Sequence, residues 1–452
     1  MGRLFGTDGA RGVAITELTC ELATSIGRAA AIVLTKHKPA GEKAKLLIGK
    51  DTRVSSDILE AALISGIMSV GADAVLLGVV PTPAVAYLVK HENADAGVMI
   101  SASHNSVEYN GIKLFAGTGF KLPDEVENEI EALILDTPEL ITLKNGVDVG
   151  RVSTLSDAAE LYVSHLAETA DIKDRNMKII ADCANGSASA TAKALFGRIG
   201  IECDIINAEP DGCNINEKCG STHIDILREK VKAGGYSFGV AFDGDADRCL
   251  AVDETGNIVD GDKLIAIIAN DMKQRGTLRN DTAVVTVMSN LGFHTYMEQH
   301  GIDTVCTAVG DRYVLEEMLR SGYNIGGEQS GHIIFLDHAT TGDGQLTAVR
   351  LISLMSQTDR KLSEYNAEFI DYPQLLVNVK ITDENKGKWD RNAAILAAID
   401  TAKKALGNNG RVLVRESGTE PLVRVMIEGK DAGMVDKYTN MIADTVKAEF
   451  CK

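Results

Sequence analysis

One pattern recurs three times along the chain and confines it to a single fold class. A β-rich run leads through a loop and a helical stretch to a glycine, and a second β-rich run follows: KLLIGK to Gly71 and ADAVLLG, MKIIADC to Gly200 and IECDII, TAVVTVM to Gly301 and IDTVCTA. Each glycine stands where a helix C-cap belongs before the chain turns into the next strand. Three β–α–β units of one pattern predict three similar α/β domains with mixed or parallel sheets flanked by helices. The last stretch breaks the pattern. It reads as a strand (PQLLVNVKIT), a helix (NAAILAAIDTAKKAL), two strands around a loop (RVLVRESGTEPLVRVMIE) and a closing helix, AGMVDKYTNMIADTVKAEF. That order predicts a separate C-terminal α+β domain.

Polar or turn-forming stretches near 154, 254 and 370 place the domains at 1–154, 155–254, 255–370 and 371–452. The length, 452 residues, suits several domains. The 46 basic against 64 acidic residues leave a net charge of −18, which argues against nucleic acid or an anionic membrane as the main partner. Any phosphate ligand must then be held by a local basic cluster. Eight cysteines without a C-x-x-C pair read as reduced thiols of a cytoplasmic protein. The N-terminus has no apolar signal core, and no segment approaches the apolar length of a membrane span.

Chemistry is concentrated in five loops. In the second unit, Asp243-Gly244-Asp245-Ala246-Asp247-Arg248 places three carboxylates at alternate positions between FGVAF and CLAV. Such hard oxygen ligands suit Mg²⁺, which takes a few carboxylates and leaves its other positions to water or phosphate. An acidic turn is the plain alternative. An EF-hand is the other, since Asp243, Asp245, Asp247 and Glu254 fall at loop positions 1, 3, 5 and 12. It fails where Arg248 replaces the turn glycine and where the flanks look like strands.

In the first unit, AGVMI runs into Ser101-Ala102-Ser103-His104-Asn105. A serine at that strand mouth could accept a phosphoryl group, with His104 and Lys113 near in sequence to offer positive charge or proton traffic. An ordinary strand-to-loop turn explains the same residues. In the third, Gly326-Gly327-Glu328-Gln329-Ser330-Gly331-His332 permits close backbone approach and carries side chains able to bond sugar hydroxyls, although a glycine-rich hairpin would look alike. In the fourth, Arg415-Glu416-Ser417-Gly418-Thr419 with Arg424 on the returning strand can form a nest for phosphate. Near the N-terminus, Gly6 to Gly12 reads as a loop in which Arg11 could meet a phosphate. A single cleft between four domains would gather a phosphate donor, a metal, a sugar reader and a phosphate anchor.

From FGTDGARG through SASHN, NGIK, DGDADR, GGEQSGH and RESGTEPLVR, the chain resembles the α-D-phosphohexomutase family over essentially its whole length, and within it most resembles the bacterial phosphoglucosamine mutases. The resemblance implies three α/β domains and a fourth of different fold around a central cleft. It implies a phosphoserine at Ser103, one Mg²⁺ per subunit held by Asp243, Asp245 and Asp247 with a phosphoserine oxygen, and sugar reading by the GEQSGH loop. Relatives acting on mannose or glucose phosphates typically show Met where this chain has Gln329, so an amino sugar is favoured, as a precursor of UDP-N-acetylglucosamine and cell wall.

Glucosamine 6-phosphate and glucosamine 1-phosphate would then interconvert through glucosamine 1,6-bisphosphate. Arg415, Ser417, Gly418, Thr419 and Arg424 would anchor the idle phosphate, with Glu328 and Ser330 on the sugar hydroxyls. Lys113 and His332 would move protons, and Arg11 and Arg248 would steady the serine loop. The protein is expected as a monomer or homodimer. A phosphomannomutase or phosphoglucomutase, a metal-dependent sugar-phosphate phosphatase and a non-catalytic sugar-phosphate binder are the alternatives. Three residues depart from the family pattern: Ser106 and Glu416, where proline is usual, and Ala246, where a second glycine is usual and alanine fits only if φ is negative.

Overall fold

The computed structural model describes residues 3–6, 8–39, 42–416 and 421–451. Among these described residues eighteen strands form four sheets. The first holds β1 (Ala10–Val13), β2 (Lys45–Lys50), β3 (Asp73–Val79), β4 (Ala96–Ile100), β5 (Tyr109–Ala116) and β6 (Val152–Thr154), in the order β1-β5-β4-β2-β3-β6. The second holds β7 (Lys178–Asp182), β8 (Glu202–Ile206), β9 (Phe238–Phe242), β10 (Cys249–Asp253) and β11 (Ile258–Val259), ordered β11-β10-β9-β7-β8. The third holds β12 (Thr282–Thr286), β13 (Asp303–Thr307), β14 (Ile325–Gly327) and β15 (Ile333–Phe335), ordered β13-β12-β14-β15. The fourth is antiparallel, β16 (Gln374–Lys380) against β18 (Leu422–Gly429) against β17 (Gly410–Glu416).

The repeat in the sequence is thus a repeat in topology, and it extends further than the β–α–β unit. In each of the first three sheets a strand pairs in parallel with its successor (β2 with β3, β7 with β8, β12 with β13). The next strand returns to the far side of the first and is again parallel to it (β4, β9, β14). It then turns back through an antiparallel hairpin (β5, β10, β15). Successive connections leave the first strand in opposite directions, and a crevice opens at the carboxyl ends of strands at such a switch point. The polar loops after β4, β9 and β14 lie there, as do the turns after β2 and β7.

Burial follows from this order. AGVMI of β4, FGVAF of β9 and TAVVT of β12 lie inside their sheets and every residue of each is buried, which is why these strands read as unbroken apolar runs rather than alternating ones. Gly71, Gly200 and Gly301 all adopt positive φ, 94°, 75° and 64°, as helix-terminating glycines do.

Two compact units result: residues 1–288 with 300–368, and residues 289–299 with 369–452. The helix Leu291–Gln299, which joins β12 to β13, therefore belongs to the second unit, where the Leu291 amide donates to Glu428 Oε1 at 2.7 Å and Tyr296 stacks on Phe369. No helix among the described residues is long and apolar enough to cross a membrane.

Candidate active site

Within the first unit the three hairpin loops meet. Ser103, buried and at φ 52°, donates its hydroxyl to Asp243 Oδ2 at 2.5 Å. The loops touch through their main chains as well, because a Cβ on Gly244 would stand 2.5 Å from the Ser103 carbonyl oxygen, so only glycine allows this approach. Asp243, Asp245 and Asp247 are buried, and one ligand oxygen from each lies within 4.8 Å of the others. One oxygen of Asp245 and one of Asp247 are committed to Lys113 Nζ, at 2.7 and 3.2 Å. The Oδ1 atoms of both are buried without a hydrogen-bond partner. Two orphaned anionic oxygens beside a third carboxylate fit a divalent cation.

The electrostatics follow from burial. Burial, with repulsion from Asp247 and Asp245, pushes the Asp243 carboxyl well above its usual range. Asp247 moves the other way: burial would raise it, but Lys113, His332 and Arg248 bring it lower. Lys113 also pairs with Asp8 at 3.0 Å, and although burial alone would lower its pKa, Asp245, Asp247 and Asp8 hold the ammonium protonated far above the usual range. It is a fixed cation at neutral pH. His104 stands 3.4 Å from Ser103 Oγ; burial, then Arg248 and Arg11, lower its pKa to about 4, so its ring is neutral. Arg11 is paired with Asp8, and its Nε, like that of Arg248, is buried without a hydrogen bond. His332 is buried with both ring nitrogens unbonded, the nearest acid being Asp311 at 3.7 Å.

Family profiles described as phosphoglucomutase/phosphomannomutase match four segments in order: alpha/beta/alpha domain I at residues 2–140, domain II at 160–256, domain III at 260–372 and the C-terminal domain at 376–445. The phosphoglucosamine mutase of Brevibacillus brevis is 51% identical over 449 residues, covering 99% of this chain and 100% of that protein. The chain belongs to the phosphoglucomutase/phosphomannomutase family. It is accordingly an enzyme, an isomerase of the phosphohexomutase kind. The phosphoglucosamine mutase of Clostridium novyi is 50% identical over 449 residues, 99% of each chain. Among solved structures, a phosphoglucomutase/phosphomannomutase family protein from Burkholderia thailandensis shares the fold with a TM-score of 0.80 at 22% identity, over 98% of this chain and 97% of that one.

Other residues of this phosphohexomutase lie where the sequence left them unplaced. Glu328 accepts from the Gly310 amide at 3.2 Å, and Ser330 is exposed. Gln329 turns into the protein: its side-chain amide donates to Asp260 Oδ2 at 3.1 Å and its main-chain carbonyl accepts from the Gly261 amide at 3.0 Å, at the start of the helix Gly261–Gln274. Its side chain ties the loop down. Arg415 and Arg424 sit directly opposite across β17 and β18, and Arg424 Nε is buried and unbonded. Ser417, Gly418 and Thr419 lie outside the described residues. Glu416 is turned away to the Gly387 amide, at 2.8 and 2.9 Å, which gives its charge a partner.

Ala246 overturns the expectation for its position. Its φ is 56°, so the position does require the left-handed region, and this chain fills it with alanine. Glu254 is bonded to Ser363 and has no part in the metal loop. The largest omission of the sequence reading is Arg53, which with Asp51 follows β2 and holds the serine loop from behind. The signal was present: DTR directly follows KLLIGK, the first strand of the repeat, at the switch point of its sheet.

Proposed function

We propose that this chain is a phosphoglucosamine mutase, interconverting glucosamine 6-phosphate and glucosamine 1-phosphate through phosphoserine 103 and glucosamine 1,6-bisphosphate. The observation that carries the reading is the hydrogen bond from Ser103 Oγ to Asp243 Oδ2, 2.5 Å long, inside a carboxylate triad with two orphaned oxygens. The amino-sugar preference is supported by relatives of that name at 50–51% identity over nearly the full chain. It does not rest on Gln329, whose amide is engaged with Asp260.

Asp243, Asp245 and Asp247 would hold Mg²⁺, which when bound supplies charge neutralisation for phosphoryl transfer. In the proposed cycle a sugar hydroxyl attacks phosphorus as the bond to Ser103 Oγ breaks, and His332, with both ring nitrogens free of hydrogen bonds, accepts the hydroxyl proton. Lys113, Arg11 and Arg248 balance negative charge, Lys113 as a permanent cation. Glu328 and Ser330 hold sugar hydroxyls, and Arg415 and Arg424 with Ser417, Gly418 and Thr419 anchor the second phosphate. After the bisphosphate reorients, its other phosphoryl group returns to Ser103.

Phosphorus NMR of the protein with Mg²⁺, glucosamine 6-phosphate and a trace of the bisphosphate tests this. Glucosamine 1-phosphate should appear, and Ser103→Ala should abolish it. Free phosphate alone would identify a phosphatase instead, and full activity of Ser103→Ala would sink the phosphoserine route.

A further inference from the structure

We propose that Arg53 and Asn216 are positioning residues for phosphoryl transfer, which clamp the carbonyls of Ser103 and Asn105 from two domains and so aim the Ser103 hydroxyl into the aspartate triad. The Arg53 side chain is fully buried, paired at 2.9 Å with an equally buried Asp51. It donates Nη2 to the carbonyls of Ser103 (3.1 Å) and Asn105 (2.7 Å), and Nη1 to those of Ser106 and Tyr109. Asn216, from the second α/β domain, donates its one amide nitrogen to the same Ser103 and Asn105 carbonyls, at 2.9 and 3.0 Å. Each of these two carbonyls therefore accepts one hydrogen bond from Arg53 and one from Asn216.

The clamp closes on a residue that needs holding. Ser103 lies in the left-handed region, which costs a non-glycine residue about 1–2 kcal/mol. From Ser101 to Glu108 the chain has neither glycine to relax that strain nor proline to stiffen the turn. A third tether returns to the same pair, since the Ser103 amide donates to Ser101 Oγ at 2.9 Å and Ser101 Oγ donates to Asp51 at 2.7 Å. Its carbonyl and its amide are both held, so the Ser103 backbone is fixed in the position from which its hydroxyl reaches Asp243 Oδ2. Asn216 is itself at φ 58° and its Oδ1 is buried and unbonded, so its placement serves the two carbonyls and little else.

This inference rests on Ser103 as the phosphoryl carrier, and the test separates the two. Full-length wild type, Arg53→Lys and Asn216→Ala are incubated with Mg²⁺ and glucosamine 1,6-bisphosphate, and the phosphate on Ser103 is counted by intact mass. Transfer to glucosamine 6-phosphate is then timed by rapid quench and expressed per phosphoenzyme, alongside the affinity for the sugar phosphate. Misfolded protein lowers the yield of phosphoenzyme but not the rate of each molecule. Arg53→Lys should transfer roughly 10²-fold more slowly, the cost of about 1 Å of misplacement. Asn216→Ala should be roughly tenfold slower, with affinity for the sugar phosphate unchanged in both. If Arg53→Lys does not fold, Asn216→Ala decides alone. Phosphorylated variants transferring within twofold of wild type would overturn the clamp by itself. Wild type that takes no phosphate on Ser103 would overturn the functional reading and the clamp with it.

Discussion

The serine loop and the aspartate loop occupy the same place in their domains, each the hairpin after the third parallel strand, yet their main chains are held by opposite means. The serine loop hangs from side chains: Arg53, Asn216 and Ser101 supply its donors. The aspartate loop is held largely by main chain. Thr82 donates its amide to the Asp245 carbonyl at 2.9 Å, Ser187 to that of Gly244 at 2.8 Å and Gly344 to that of Ala246 at 3.0 Å. A loop held by side chains can be loosened one substitution at a time. Carbonyls held by backbone amides can be disturbed where an added atom pushes the chains apart.

Gly344→Ala puts this difference under the greatest load. Gly344 opens the helix Gly344–Met355, where alanine would ordinarily be the better helix former. Here a Cβ would stand 2.2 Å from the Arg248 carbonyl oxygen and 3.0 Å from that of Ala246. Main chain cannot swing aside, so the loop must shift. The expected result is a loss of about 1–3 kcal/mol in urea unfolding together with a large drop in kcat. A variant as stable and as active as wild type would show that the aspartate loop tolerates movement, and the contrast would fall.

A smaller effect separates the loops by pH. His104 belongs to the serine loop, and its folded pKa of about 4 lies below the usual 6.5. The unfolded chain therefore binds more protons between those values, so the contribution is complete above pH 6.5 and is lost as pH falls toward 4. The loss should be about 1–2 kcal/mol at pH 5, less in His104→Gln. Histidine NMR with a His104 midpoint near 6.5 would contradict the burial and the two arginines invoked for it.

How much of this was legible beforehand divides along the same line. The three β–α–β units, the hairpin positions of the polar loops and the alternating aspartates could be read because each is a local pattern with a local physical cause. Arg53 and Asn216 could not be paired with Ser103, since hydrogen bonds to main-chain carbonyls leave no mark at the accepting residues, and Asn216 lies 113 residues away from Ser103. Gln329 was chemically plausible as a sugar reader, and only the presence of Asp260 beside it, 69 residues away, shows that its amide is engaged. The helix Leu291–Gln299 stands where the repeat expects it, between TAVVTVM and Gly301, but its place in the repeat does not say to which unit it belongs.

Ala246→Gly should have the smallest effect, and it examines the aspartate loop's own economy. Alanine at φ 56° carries a strain of about 1–2 kcal/mol that glycine would relieve. Against that, glycine loses about 0.4–1 kcal/mol through the greater freedom of the unfolded chain. The methyl group removed is completely buried, worth about 0.8 kcal/mol. The contributions nearly cancel, so chemical denaturation should move by no more than about 0.5 kcal/mol in either direction, and this is why alanine is sustainable at a left-handed position. Activity should also stay near wild type, because the Ala246 carbonyl bond to Gly344 needs no side chain. A stabilisation above 1 kcal/mol would mean that the buried methyl contributes little and that the loop stores strain. A loss of that size, with slower turnover, would mean instead that the methyl group helps to hold the aspartates in place, so that the second loop too depends on a side chain.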